Sequence, residues 1–167
     1  RRCCGKAQSR RGSAARGING RATSAGADTD RDKGFRSVIA KYPNICKHIH
    51  LPVQSGSNRI LKEMNRLHSR EEYMALIYKI RTIIPNCSIS QDMIAGFCTE
   101  TEEDHQDTLS LMEYVKYNFG YMYSYSERPG TLAGRKMEDD VPEETKARRL
   151  EVTMEKLIAK KKNYNEK

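Results

Sequence analysis

From Phe35 onward the chain alternates short apolar runs with amphipathic helical patterns, and most of those patterns open on a cap signal of their own. No other feature restricts the fold as tightly. Residues 45–53, 87–95 and 119–126 read as strands. Residues 35–42 form a short helix that Pro43 ends. Ser57 can cap a short helix running through Asn65, with Ile60, Leu61 and Met64 on one side. Ser69 and Glu72 have capping-box spacing and open a helix to about Ile84. Its apolar stripe is Tyr73, Leu76, Ile77, Ile80 and Ile84, and Pro85 follows. Thr101 and Asp104 start a helix to Tyr117 that turns Leu109, Met112 and Val115 inward. Pro142 begins a charged helix to about Lys162. This alternation predicts βα units around a parallel sheet, with right-handed crossovers laying the strands out in sequence order.

The strands carry a further signal. Buried parallel strands are usually apolar on both faces, yet each of these has one polar side. Cys46, His48 and His50 share a side of the first strand, Ser88, Ser90 and Asp92 a side of the second, and Ser124 and Ser126 a side of the third. Opposite them stand Ile49, Leu51 and Val53, then Ile89 and Met93, then Tyr121, Tyr123 and Tyr125. A barrel-like sheet with a hydrated or ligand-filled lumen accounts for this. A two-layer sheet with one solvated face accounts for it equally well.

Charge narrows the partners less than it first suggests. The chain has 167 residues and a net charge of +8. Residues 1–34 hold nine Lys/Arg against Asp28, Asp30 and Asp32, so most of the excess belongs to that segment and not to a folded basic face. The same segment holds six of the eleven glycines and one large aliphatic residue, Ile18. It cannot bury enough apolar surface to offset its ordering entropy and is expected to be a disordered basic tail. A transit-type segment is one alternative, although the glycines argue against its amphipathic helix; a reading-frame artefact is the other. No apolar run reaches membrane-spanning length. The five cysteines (Cys3, Cys4, Cys46, Cys87, Cys98) are scattered and odd in number, a poor disulfide framework that fits a reduced, cytoplasmic setting.

Three motifs fall at the C-terminal ends of the three strands, the edge where α/β sheets place their sites. They are His50-Leu51-Pro52-Val53-Gln54-Ser55-Gly56-Ser57, Asp92-Met93-Ile94-Ala95-Gly96-Phe97 and Tyr125-Ser126-Glu127-Arg128-Pro129-Gly130-Thr131. Each pairs polar groups with a glycine that lets backbone approach a ligand, and three in register point to one pocket. Other clusters have plainer explanations. Cys46, His48 and His50 lack a fourth metal ligand and read as lumen lining. Glu100, Glu102, Glu103 and Asp104 suit a helix N-terminus, as Lys160, Lys161 and Lys162 suit a C-terminus, although those lysines are also placed to meet RNA phosphates. Tyr121, Tyr123 and Tyr125 are expected to pack against helices, with base stacking the alternative.

With its extensions, the motif set resembles the MiaB-type tRNA methylthiotransferases from about Ala40 to Leu150. The GFCTETEEDH and DDVPEE segments carry much of the likeness. The resemblance implies a radical S-adenosylmethionine (SAM) domain, here the C-terminal half of an incomplete (β/α) barrel over residues 35–141. Residues 142–167 would be a charged linker helix leading towards a tRNA-binding TRAM domain. In that family a [4Fe–4S] cluster on C-x-x-x-C-x-x-C cleaves SAM to a deoxyadenosyl radical, a second cluster takes part in sulfur insertion, and an isopentenyl-modified adenosine beside the tRNA anticodon is methylthiolated. The cluster motif has no counterpart here, so the resemblance implies a fragment, without an expected cluster and inactive alone. A non-catalytic remnant that binds SAM, RNA or a protein partner is the alternative. By position, Gln54 and Ser55 would lie near the SAM ribose, Ile94 and Gly96 beside the adenine, and Arg66 near the SAM carboxylate. Asp92 would face the lumen, and Arg128 would orient SAM or the target base. No residue is assigned to catalysis or to a metal. SAM and tRNA are the expected partners, with no membrane association and a monomeric chain.

Overall fold

The computed structural model describes residues 30–165. The element order is α1 (Asp30–Lys41), β1 (His48–His50), α2 (Asn58–Glu63), α3 (Arg70–Ile83), β2 (Ser88–Ala95), α4 (Glu102–Val115), β3 (Phe119–Ser124), α5 (Ala133–Lys136) and α6 (Glu143–Asn165). The three strands form one parallel sheet in the order β1-β2-β3, as the alternation predicts.

Local chemistry sets the helix starts. Ser69 accepts from the Glu72 N–H while the Glu72 side chain accepts from the Ser69 N–H, and Thr101 and Asp104 repeat the exchange at α4. The expected tail boundary needs correction at its end. α1 begins at Asp30, inside residues 1–34. The rest of the expected tail, residues 1–29, lies outside the described residues. α5 was not anticipated. It is a single turn inside the segment read as turn-rich, closed by the Met137 N–H donating to Ala133 O.

The first strand is shorter than residues 45–53. Leu51 N–H donates to Ser90 O and Gln54 N–H to Asp92 O, so three residues advance on one side for two on the other. One residue is therefore extra, Pro52 has no N–H to give the ladder, and Gln54 takes up the bend at φ 76°. The chain then rejoins β2 through a bridge between Gln54 and Met93.

The core lies on one side of the sheet. Ile89 and Met93 project into a cluster with Val53, Tyr73, Ile77, Ile80, Ile84, Leu111, Met112 and Val115. A second cluster at the rim gathers Ile60, Phe97, Cys98 and Tyr125. The third strand, however, faces the opposite way from the expectation. Register pairs Ser90 with Phe119, Asp92 with Tyr121 and Ile94 with Tyr123, and Gln91 with Gly120, Met93 with Met122 and Ala95 with Ser124. Residues paired in register share a face. Tyr121 and Tyr123 therefore stand on the open face, 52% and 53% exposed, and Ser124 on the covered one. The covered face of β3 has no room for rings, because the buried Gln91 side chain occupies the place of a Gly120 Cβ, with its Cδ 3.0 Å away. Only Tyr125 packs as expected, edge-on to Phe97 at 4.9 Å.

Candidate functional site

The rim at the C-terminal ends of the strands is built by loops that dock on the helices behind them. After β1, Ser55 is fully buried, with its Oγ 3.4 Å from Thr108 Oγ1, and Gly56 N–H donates to that same oxygen at 2.9 Å. A Cβ at Gly56 would lie 2.6 Å from Asp107 O, so this glycine is required by the approach of α4. Ser57 caps α2 and donates to Asp104 Oδ1 at 2.6 Å. Arg59 forms an ion pair with the other oxygen of that carboxylate. Burial alone would raise the pKa of Asp104. Hydrogen bonds from Arg59, Ser57 and Thr101 outweigh it and hold the carboxyl well below its usual range.

After β2 the chain turns at Gly96, which has φ 73°. Its N–H donates to Glu100 Oε2 at 2.7 Å, and Glu100 in turn meets Arg149 Nη1 of α6 at 3.0 Å. Burial pushes the Glu100 carboxyl up, against the lowering effect of the Gly96 N–H and of Arg149. Lys146, also from α6, lies across Gly96. Its stem occupies the space a Cβ would need, and its ammonium meets Asp139 and Glu143 at 2.6 Å each. The same ammonium sits 5.7 Å from the centre of the Tyr125 ring. After β3, Arg128 is exposed, and its carbonyl accepts from the Thr131 N–H and hydroxyl in the turn that Gly130 closes at φ 86°.

The open face carries a connected polar row. Asp92 Oδ2 lies 3.4 Å from His50 Nε2, and His50 Nδ1 is 2.8 Å from Ser90 Oγ. The row continues through His48 Nε2, 3.1 Å from Ser90 Oγ, to Ser88 Oγ, 3.1 Å from His48 Nδ1. Beside it runs the aromatic row Phe119, Tyr121 and Tyr123, the first two in edge contact at 4.9 Å. Alternation along β1 and β2 foretold the polar row. Tyr121 and Tyr123 stand on the face opposite to the expected one, and nothing local in the sequence marks Lys146 or Arg149.

The structure therefore brings together only some of the residues singled out from sequence. Gln54 and Ile94 are joined by backbone, Ile94 N–H donating to Gln54 O at 2.9 Å, and Asp92 O accepts from Gln54 N–H at 3.0 Å. Asp92 and Ile94 are partly exposed on the open face. Ser55 faces α4, and the Cβ side of Gly96 faces α6. Arg66 is exposed after α2, its N–H donating to Leu61 O at 2.8 Å, and it and Arg128 share no hydrogen bond or ion pair with the Gln54, Asp92 and Ile94 group among the described residues. An open groove of about 480 Å³ bounded by Met112, Tyr117 and Leu157 lies near the opposite, N-terminal edge of the sheet. Cys87 and Cys98 are buried in separate apolar clusters and Cys46 is exposed. Among the described residues no group of three or more His, Cys, Asp or Glu is arranged to hold a metal ion. These residues do not fit an iron–sulfur cluster; Cys3 and Cys4 lie outside the described residues. No described helix is long and apolar enough to cross a membrane.

Residues 22–112 match the Radical SAM superfamily. Over 122 residues the chain is 84% identical to the tRNA-2-methylthio-N(6)-dimethylallyladenosine synthase of Flavobacterium johnsoniae, covering 73% of this chain and 25% of that protein. The protein of the same name from Amoebophilus asiaticus is 65% identical over 120 residues, covering 71% and 25%. The chain thus spans about a quarter of the length of these curated relatives. Among solved structures it resembles the radical SAM enzyme coproporphyrinogen III oxidase of Escherichia coli, with TM-score 0.58 and 25% identity over 68% of this chain and 27% of that one.

Proposed function

The chain belongs to the radical SAM superfamily, and from that premise we propose that it forms part of the SAM- and substrate-facing wall of a tRNA methylthiotransferase that modifies an isopentenyl-modified adenosine. The observation that carries this reading is the shared edge. Gln54, Asp92 and Ile94 are fixed to one another by backbone hydrogen bonds at the C-terminal rim, beside a sheet face that stays open and polar. When bound, SAM would supply the reactive carbon groups, and this chain's residues would hold and orient it. The Asp92 carboxylate, partly exposed and next to His50, suits the hydroxyls of a ribose. Ile94 gives an apolar surface for adenine, and Gln54 sets the rim through its backbone. Ser55 acts through its loop, since its hydroxyl is engaged with Thr108. Gly96 contributes backbone only. Arg66 would pair with the SAM carboxylate, and Arg128 would meet SAM or the target base from the third loop. The tRNA partner rests on the names of the relatives.

Titration of the chain with SAM, followed by backbone amide chemical shifts, tests the reading. Shifts are expected at Gln54, Asp92, Ile94 and Gly96, and Asp92→Asn should weaken binding about tenfold, the loss of one charge-assisted hydrogen-bonding group. Shifts confined to the groove beside Leu157, or none at all, would refute it.

A further inference from the structure

The turn after β2 is gripped from the helix side of the sheet by two residues one helical turn apart on α6. Lys146 and Arg149 are both almost fully buried, an uncommon state for either residue type. Arg149 reaches Glu100 twice, at the carbonyl (2.9 Å) and at the carboxylate (3.0 Å), and its Nε lies 3.5 Å from Glu102. The Glu100 carboxylate is also the acceptor of the Gly96 N–H. Lys146 covers the other side of the same turn with its stem, while Asp139, Glu143 and the Tyr125 ring hold its ammonium. Tyr125 is the first residue beyond β3, and its N–H donates to Ala95 O, so the grip reaches two of the three rim loops. Farther along, the Thr153 hydroxyl donates to Arg149 O at 2.7 Å, and Lys156 pairs with Glu113 of α4 at 2.5 Å. α6 is seated along α4, β2 and β3, and is not a free linker at its N-terminal half.

We propose that Lys146 and Arg149 are positioning residues: they lock the turn at residues 96–100 from the α6 side, so that the seating of α6 sets the shape of the SAM-facing rim. This rests on the reading that the turn faces SAM. The glycine at position 96 is then explained by the lysine stem, and a displacement of α6 would be felt at the rim as a change in SAM affinity.

The Gly96 amide reports on the grip, because its hydrogen bond ends on the Glu100 carboxylate and not on the sheet. Amide exchange and SAM titration are measured on the whole 167-residue chain. Lys146→Ala removes the stem, and exchange at Gly96 should rise about tenfold, with SAM binding weakened about fivefold, while exchange at Ile89 and Ile77 stays within about a factor of two. Lys146→Met keeps an unbranched stem without the charge and should retain the wild-type values. Arg149→Lys, a milder change should Lys146→Ala fail to fold, keeps the charge but loses the fork and should loosen Gly96 by an intermediate factor. Unchanged Gly96 exchange in Lys146→Ala or, where that variant does not fold, in Arg149→Lys would overturn the proposal. So would a loosened turn with unaltered SAM affinity, or a Lys146→Met chain as loose as Lys146→Ala. A wild-type chain that fails to bind SAM at about 1 mM, an affinity worth only some 4 kcal/mol, overturns the functional reading and the positioning role with it, and that failure is visible before any substitution is made.

Discussion

Gly96→Ala tests how the rim is built, and its cost can be worked from two separate sources. The first is backbone. At φ 73° an L side chain costs about 1–2 kcal/mol, partly offset by about 0.4–1 kcal/mol from a stiffer unfolded chain. The second is steric. The added Cβ would overlap Lys146 Cγ and stand 3.0 Å from its Cβ and 3.2 Å from its Cα, so the near end of the stem and the helix itself must give way. Overpacking of this kind costs about 1–3 kcal/mol. The single variant should lose roughly 1–4 kcal/mol in all. Lys146→Ala alone should lose about 1.5–3 kcal/mol with its charged hydrogen bonds. In the double variant the Cγ overlap is gone, although the Cβ that alanine keeps at 146 is still tight. The double variant should therefore be more stable than the sum of the singles predicts, by about 1–2 kcal/mol, because only the steric part couples. Urea unfolding of the four proteins by far-ultraviolet circular dichroism measures this, given equal m-values. Additivity within about 0.5 kcal/mol would refute the steric account and leave backbone strain as the whole reason for the glycine.

Three further outcomes follow from the same structure. Asp104 has a lowered folded pKa, so its contribution is present above the unfolded value of about 3.9 and lost as pH falls towards the folded one; Asp104→Asn should be destabilised at neutral pH and should flatten the acid limb below about pH 4, and a parallel limb would exclude Asp104 as its source. Tyr121→Ala and Tyr123→Ala should each change stability by under about 1 kcal/mol whereas Ile89→Ala costs about 2–5 kcal/mol, and equal losses in urea would return the tyrosines to the core. Thr101→Ala should cost about 1 kcal/mol and speed exchange in the first turn of α4; a neutral result would mean that Asp104 caps the helix without it.

What could be read from sequence was what is decided locally. A capping box needs only two side chains three residues apart, and both boxes formed where Ser69 with Glu72 and Thr101 with Asp104 placed them. The order of the parallel strands was legible for a similar reason, since each crossover is short and helical, α2 with α3 before β2 and α4 before β3. The inner face of the third strand was not. A period of two separates Phe119, Tyr121 and Tyr123 from Gly120, Met122 and Ser124 but does not say which set lies inside. That was settled by the Gln91 side chain on the neighbouring strand and by the packing of α6, whose first residue lies 19 positions beyond the end of β3. The expectation ranked rings above small residues as core, and close packing reversed the ranking.

The rim glycines show the same limit in a form that bears on mechanism. Gly56 and Gly96 each follow a strand, where the sequence alone suggests an opening for a ligand. Both openings are occupied by the chain itself, one by the backbone of α4 at Asp107 and Thr108, the other by the stem of Lys146. A glycine in sequence shows that something comes close and does not show what. With those approaches closed, a ligand at this rim meets the sheet from its open face, where Asp92 and Ile94 stand in register with Tyr121 and Tyr123. Hydrogen-bond acceptors and aromatic surface then lie on adjacent strands about 4.8 Å apart, close enough for one nucleoside to touch both. The loops behind would act by holding that face in shape, and the residues that do so, Thr108, Asp104, Lys146 and Arg149, all come from the helices.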